Sequence, residues 1–122
     1  YAKWRGKRLP TVFEWEYAVI TSKGYKFPWG KNYRLGAANV NTGQAKEVGF
    51  CIRAKTPTGI FDMAGNVWEW TNSYYNNTKR NMVIKGGSFA YKYQYSKATY
   101  RDGFFPHGCR NDIGFRCALD KK

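Results

Sequence analysis

The chain of 122 residues is about one domain long, and its 21 Lys and Arg against 8 Asp and Glu leave a formal charge of +13. That charge suggests an anionic partner, yet 19% of the residues are Phe, Trp or Tyr, which excludes a disordered basic tail. No apolar run approaches the roughly 18 residues of a membrane helix, so no membrane insertion is expected.

In chain order, Tyr1-Ala2-Lys3-Trp4-Arg5-Gly6 has no apolar core of signal-peptide type, so an export signal would lie outside this chain. Pro10 then precedes Thr11-Val12-Phe13-Glu14, the pattern of a capping box, in which the Thr hydroxyl and the Glu carboxylate each take the other's amide. Val12, Trp15 and Val19 fall on one helical face, and Gly24 closes the pattern. From Lys26 to Thr58, Gly, Asn, Pro and Thr recur too often for long elements, and Phe27 and Trp29 are expected to plug a loop. Asn66-Val67-Trp68-Glu69-Trp70-Thr71 predicts a strand or a tight turn entering one. Met82-Val83-Ile84-Lys85 predicts another, running into Gly86-Gly87-Ser88. Phe89, Tyr91, Tyr93 and Tyr95 alternate with Ala90, Lys92, Gln94 and Ser96, which predicts a strand with all four rings on one side. Ile113-Gly114-Phe115-Arg116-Cys117-Ala118 predicts a short terminal strand. Without repeats or a low-complexity linker, residues 1–122 read as a single domain.

Leu is nearly absent (Leu9, Leu35 and Leu119), so the core must rest on large aromatics, each of which buries about 150–250 Å². Trp15, Trp29, Trp68 and Trp70 are the expected frame. Cys51, Cys109 and Cys117 are an odd number without metal-ligand spacing, and His107 is the sole histidine, which argues against a zinc site or a disulfide scaffold.

Five blocks, in order, carry a resemblance: Gly6-Lys7-Arg8-Leu9-Pro10-Thr11 continuing through Glu14-Trp15-Glu16-Tyr17-Ala18; Phe27-Pro28-Trp29-Gly30; Gly59-Ile60-Phe61-Asp62-Met63-Ala64-Gly65-Asn66-Val67-Trp68-Glu69-Trp70; Gly86-Gly87-Ser88; and Ile113-Gly114-Phe115-Arg116. Together they resemble the formylglycine-generating enzyme (sulfatase-modifying factor) family. The resemblance implies an α+β, C-type-lectin-like fold with short strands, one or two helices and much irregular loop. The family domain usually begins before the Lys-Arg-Leu-Pro-Thr block, so a compact or truncated version is expected. Active members carry two copper-binding cysteines shortly after Gly-Gly-Ser. Aligned on Gly86-Gly87-Ser88, those positions are Tyr91 and Ser96, and neither can replace a thiolate toward Cu(I). The expectation is a protein that is not a formylglycine-generating oxidase, with no catalytic cofactor.

From Phe89 to Asp112 there is no Val, Ile, Leu, Met or Trp, yet seven residues are aromatic: Phe89, Tyr91, Tyr93, Tyr95, Tyr100, Phe104 and Phe105. Contiguous exposed aromatics mark contact surfaces, and Tyr gives large amphipathic area at low entropy cost. This segment also resembles that of variable proteins of diversity-generating retroelements, archaeal or viral ones among them. Randomised adenines in a template turn AAC-type codons into any codon ending in C or T. Asp102, Gly103, Phe104, Phe105, Pro106, His107, Gly108 and Cys109 all belong to the residues so encoded, as do Tyr91, Tyr93, Tyr95 and Tyr100. The expected ligand-binding region is therefore residues 89–112, read against a protein or cell-surface ligand, and the resemblance implies a virion tail or cell surface as its place. The competing reading packs these rings on Trp68 and Trp70 as core.

The same resemblance implies a structural calcium site at Asp62, the carbonyls of Gly65 and Val67, and Glu69, a set of hard oxygens on an irregular loop. Equally open is an ion pair of Glu69 with Arg8 or Arg116. Nucleic-acid binding is the other class the charge supports. However, Arg5, Lys7, Arg8, Lys23, Lys26, Lys31, Arg34, Lys55, Lys79, Arg80 and Lys85 are scattered, which favours a solvated surface. A catalytically inactive family domain with a structural or interaction role is the remaining alternative. His107 has no Ser or Cys partner in a catalytic motif, so it reads as a contact residue.

Overall fold

A computed structural model describes residues 1–21 and 23–121. The capping box forms as the sequence predicts: Thr11 Oγ1 accepts from the Glu14 amide at 3.2 Å, and the Glu14 carboxylate accepts from the Thr11 amide at 2.8 Å. Helix α1 (Val12–Ile20) follows and buries Val12, Trp15 and Val19. It stops before Gly24, because Thr21 swings to a φ of 51° while its amide still donates to the Tyr17 carbonyl.

Residues 25–67 are loop apart from one 3₁₀ turn, Ile52–Ala54, and isolated bridges such as Phe27 to Gly30 and Asn39 to Gly65. Phe27 is buried and stacks on Trp29 with ring centres 5.3 Å apart, the plug expected there. Four strands make the sheet: β1 (Trp68–Tyr74), β2 (Met82–Lys85), β3 (Asp102–Phe104) and β4 (Ile113–Gly114), in the order β3-β2-β1-β4. β1–β2 and β2–β3 are antiparallel, and β1–β4 is parallel. Glu69 therefore lies mid-sheet, opposite Lys85 on one side and Gly114 on the other. Helix α1 closes one face, where Trp15 and Val19 pack with Met63 and Ala98.

The Gly-Gly-Ser block has a packing reason. A Cβ on Gly86 would meet the Trp15 ring at 3.1 Å, and one on Gly87 would meet the Ser96 backbone at 3.1 Å. Both residues also have positive φ (93° and 70°), which Gly alone adopts without strain. Ser88 then donates to the buried Asp112 carboxylate at 2.8 Å.

Two expectations are corrected. Residues 89–96 do not form a strand: after the tight approach at Gly87 the chain turns, and Tyr93–Ser96 is a 3₁₀ helix. The rings of Phe89, Tyr91, Tyr93 and Tyr95 therefore leave the backbone in different directions, with Phe89 buried. The terminal strand shrinks to Ile113–Gly114, and only Ala118 pairs again, in a bridge to Arg8 that brings the two chain ends together. Trp29 and Trp70 are half-buried, so Trp15 and Trp68 are the fully buried members of the expected frame.

The Arg8 guanidinium and the Thr11 amide hold the Glu14 carboxyl down to about 2. A carboxyl held low in the folded state stabilises it above the ordinary carboxylate range, and that contribution fades as pH falls from about 4.5 toward about 2. Thr11→Ala should lower stability by about 1 kcal/mol at neutral pH in chemical denaturation. Glu14→Gln should flatten the acid limb of the stability profile.

Candidate functional site

Glu69, on β1, is a buried polar anchor and is 5% exposed. Its Oε2 accepts from the Trp15 indole at 2.7 Å and from Arg116 Nε at 2.7 Å, while Oε1 accepts from Arg116 Nη2 at 2.6 Å. The same guanidinium donates to the Phe61 carbonyl at 2.9 Å. Of the two roles open to Glu69, the geometry selects the ion pair with Arg116, whereas Arg8 pairs with Glu14 and Asp120. The residues do not fit calcium: a guanidinium already faces both Glu69 oxygens, and Asp62 accepts from the Gly49 amide at 2.6 Å. Among the described residues no cluster of three or more His, Cys, Asp or Glu is placed to hold a metal ion. Gly65 has a packing task instead, since a Cβ there would meet the Asn39 carbonyl at 2.6 Å. Val67 lies against Gly114 and lines a groove of about 340 Å³ with Asp62, Glu69, Phe61 and Arg116.

Above Trp68, which is 0% exposed, three tyrosines gather. Tyr91 meets it edge-on at 5.5 Å, Tyr95 meets Tyr91 at 5.4 Å, and Tyr100 meets Tyr95 at 5.2 Å and returns to Trp68 at 6.1 Å. The buried Trp68 indole N–H has no hydrogen-bond partner among the described residues. Beside this group, Arg110 donates to the Tyr91 hydroxyl at 3.1 Å, lies over the Tyr91 and Phe104 rings, and pairs with Asp112 at 2.7 Å. Phe104 touches Trp70 and Phe105, and Phe105 is 54% exposed. Tyr93 lies apart: it stacks on Tyr33 at 4.1 Å and adjoins Phe27.

The expected binding residues thus divide. Tyr93, Tyr95, Phe105, His107 and Cys109 are exposed; Tyr91, Tyr100, Asp102 and Phe104 are half-buried against the frame. Phe89 is buried behind the surface. Asp102 accepts from its neighbour Gly103's amide. Gly103 and Gly108 are seats for rings: a Cβ would reach Tyr75 at 2.6 Å and Phe104 at 2.1 Å, respectively. The set is thus divided between exposed rings and rings packed against the frame. At the positions of the family's cysteine pair, the Tyr91 hydroxyl faces Arg110, and Ser96 is buried with its hydroxyl donating to the Tyr93 carbonyl at 2.7 Å.

Several supporting residues escaped the sequence reading. Lys85 is fully buried, and its ammonium donates to Glu16 at 2.8 Å and to the carbonyls of Ala98 and Tyr100 at 2.6 Å each. Burial pushes this group down to about 8 against the opposing pull of Glu16. Asn39 and Asn66 clamp the loop near Lys46 and reach the Phe89 amide, with Asn66 at a φ of 66°. The Lys85-Gly86 junction and the Gly65-Asn66 pair were the only available signals for these roles.

The single helix on a four-stranded mixed sheet, with long loops between, is the α+β, C-type-lectin-like architecture of sulfatase-modifying factors. The sequence pattern of the sulfatase-modifying factor enzyme 1-like domain matches residues 1–121, and the chain belongs to that family. It is 36% identical to inactive C-alpha-formylglycine-generating enzyme 2 of Bos taurus, over 97% of this chain and 46% of that protein. It is 34% identical to the formylglycine-generating enzyme of Mus musculus, over 98% of this chain and 41% of that protein. The chain thus spans under half the length of these relatives. The structure of Treponema denticola variable protein 1 superposes with a TM-score of 0.78 and 24% identity, covering 89% of this chain and 46% of that one.

Removing one partner of a buried ion pair strands the other charge. Glu69→Ala should therefore lower stability by about 3–5 kcal/mol, read by denaturant melts. Glu69→Gln keeps one acceptor oxygen but loses the charge and turns an NH2 group toward the guanidinium, so it should recover only part of that loss.

Proposed function

We propose that this chain is a non-enzymatic ligand-binding domain that displays residues 89–112 to a protein or cell-surface ligand, as a variable protein diversified by a retroelement. One observation carries the reading: the frame grips this segment by its backbone. Asn41 and Thr42 amides donate to the Tyr91 and Phe89 carbonyls, Lys85 holds the carbonyls of Ala98 and Tyr100, and the Ala98 amide donates to the Lys26 carbonyl. Those bonds do not depend on which side chains the segment carries. Tyr93, Tyr95 and Phe105, at 36%, 37% and 54% exposed, can change identity while the backbone keeps its path. A rigid display of this kind loses little conformational entropy on binding.

The fold shared with Treponema denticola variable protein 1 supports the display reading, and the similarity to a relative named inactive supports the absence of oxidase chemistry. The cysteine positions of the oxidase carry Tyr91 and Ser96 here, and a phenol and a buried hydroxyl offer copper no thiolate. A virion tail or cell surface is the setting this reading implies.

The combined variant Tyr93→Ser, Tyr95→Ser, Phe105→Ser and His107→Ser should keep cooperative unfolding and lose about 2–5 kcal/mol, since the ring pairs of Tyr93, Tyr95 and Phe105 are each worth about 0.5–1.5 kcal/mol. Loss of the cooperative transition would show those rings to be core and overturn the display reading. Incubated with Cu(I), oxygen and a cysteine-containing peptide, the protein should leave the thiol unconverted by mass spectrometry; aldehyde formation would overturn the non-enzymatic reading. The neighbouring DNA should hold a near-copy of the coding segment for residues 89–112 that differs at adenines.

A further inference from the structure

A groove of about 450 Å³ runs between the loop that carries Tyr33, Leu35, Val40 and Asn41 and the turn that carries Lys92, Tyr93 and Gln94. Its aromatic wall is ordered in advance. Tyr33 and Tyr93 stack at 4.1 Å and 17°, Phe27 supports both from behind, and the Trp29 indole is tied to the Asn32 carbonyl at 2.9 Å. Burial raises the Tyr33 phenol above its ordinary range, so it stays a neutral donor. Leu35 and Val40 supply an aliphatic wall, and Asn41 and Gln94 each offer a donor and an acceptor.

The charge around this groove is one-sided. The groove lining holds one charged residue, Lys92, and no Asp or Glu. The sequence on either side of its two walls, residues 17–46 and 70–101, also contains no Asp or Glu and carries Lys31, Arg34 and Lys97. Of the eight acids, Glu14, Glu16, Glu69, Asp112 and Asp120 are held in ion pairs with arginines or Lys85, and none of the eight lines the groove. Among the described residues, no ion pair engages Lys31, Arg34, Lys92 or Lys97.

We infer that this groove binds an acidic peptide segment of a partner protein, with an aliphatic or aromatic side chain seated against Tyr33, Leu35, Val40 and Tyr93 and a carboxylate at Lys92. The inference rests on the ligand-binding reading above and names the partner's chemistry. A peptide fits better than a nucleic acid. Tyr33 and Tyr93 already stack at 4.1 Å, so no base inserts between them, and the lining carries one cation, Lys92, where a phosphate backbone is held by several. The amides of Asn41 and Gln94 match the alternating N–H and C=O of an extended backbone.

The test pans the whole chain against a phage library of random linear peptides, and measures selected peptides by calorimetry. Enriched peptides should carry Asp or Glu beside a large apolar residue. Lys92→Glu should weaken them roughly tenfold or more by replacing attraction with repulsion, and Lys92→Gln should weaken them less. Lys7→Glu, with the same net-charge change outside the groove, should leave affinity unchanged. Circular dichroism melts of each variant check that the exposed substitution leaves the fold intact. Equal losses for Lys92→Glu and Lys7→Glu would reduce the effect to net charge and overturn the groove. Peptides that depend on Tyr95 and Phe105 but ignore Lys92 would overturn the groove and leave the display surface standing. Single-stranded DNA that binds in place of peptide, with the same Lys92 dependence, would overturn the peptide assignment. An absence of any enriched peptide would overturn it too, and the four-residue variant's unfolding would then decide separately whether the display surface survives.

Discussion

The Glu69 carboxylate, buried in the centre of the sheet, ties together three separate parts of the chain. Trp15 comes from the helix, Arg116 from the C-terminal segment, and the Phe61 carbonyl from the loop before β1. A buried carboxylate is tolerated only when charge and hydrogen bonds compensate its desolvation, so the three segments must arrive together. Around that point Trp15 closes over Gly86, and the Gly-Gly turn brings Ser96 against the frame.

Residues 89–112 are held against this arrangement by hydrogen bonds from several elements. Lys85 leaves the central sheet to hold two carbonyls of the segment and one carboxylate of the helix, with its ammonium 5.2 Å from the Trp15 ring. Aspartate 112, written Asp112 in the chain, joins the end of the segment to Ser88 and Arg110, and its carbonyl accepts from the Trp68 amide. The segment is thus bracketed at both ends and in the middle, mostly through main-chain atoms.

The +13 charge takes on a local meaning once the acids are placed. Scattered along the sequence, the basic residues read as a general solvated surface. In space, Glu69 and Asp112 are buried against arginines, Glu14 and Asp120 pair with Arg8 at the surface, and the groove beside Tyr93 is lined by Lys92 and by no acid. The aromatic content divides in the same way. Trp15 and Trp68 are interior, Tyr91 and Tyr100 lean on Trp68, and Tyr93, Tyr95 and Phe105 remain at the surface.

By itself the sequence determined the local elements and the family. Thr11 and Glu14 cap a helix because their partners lie three residues apart, and Met82–Lys85 is a strand in any plausible packing. Blocks such as Gly65-Asn66 and Gly86-Gly87-Ser88 were legible because steric demands of this kind admit few residue types. The directions of the rings after Ser88 were not legible. Period two looked like a strand, but the seat of Ser96 on Gly87 bends the backbone into a 3₁₀ turn, a contact between residues set by packing and not by local propensity. The same limit applied to Glu69, whose two possible roles differ only in what lies within about 3 Å of its oxygens. Tertiary structure decided that by delivering Arg116 from 47 positions away.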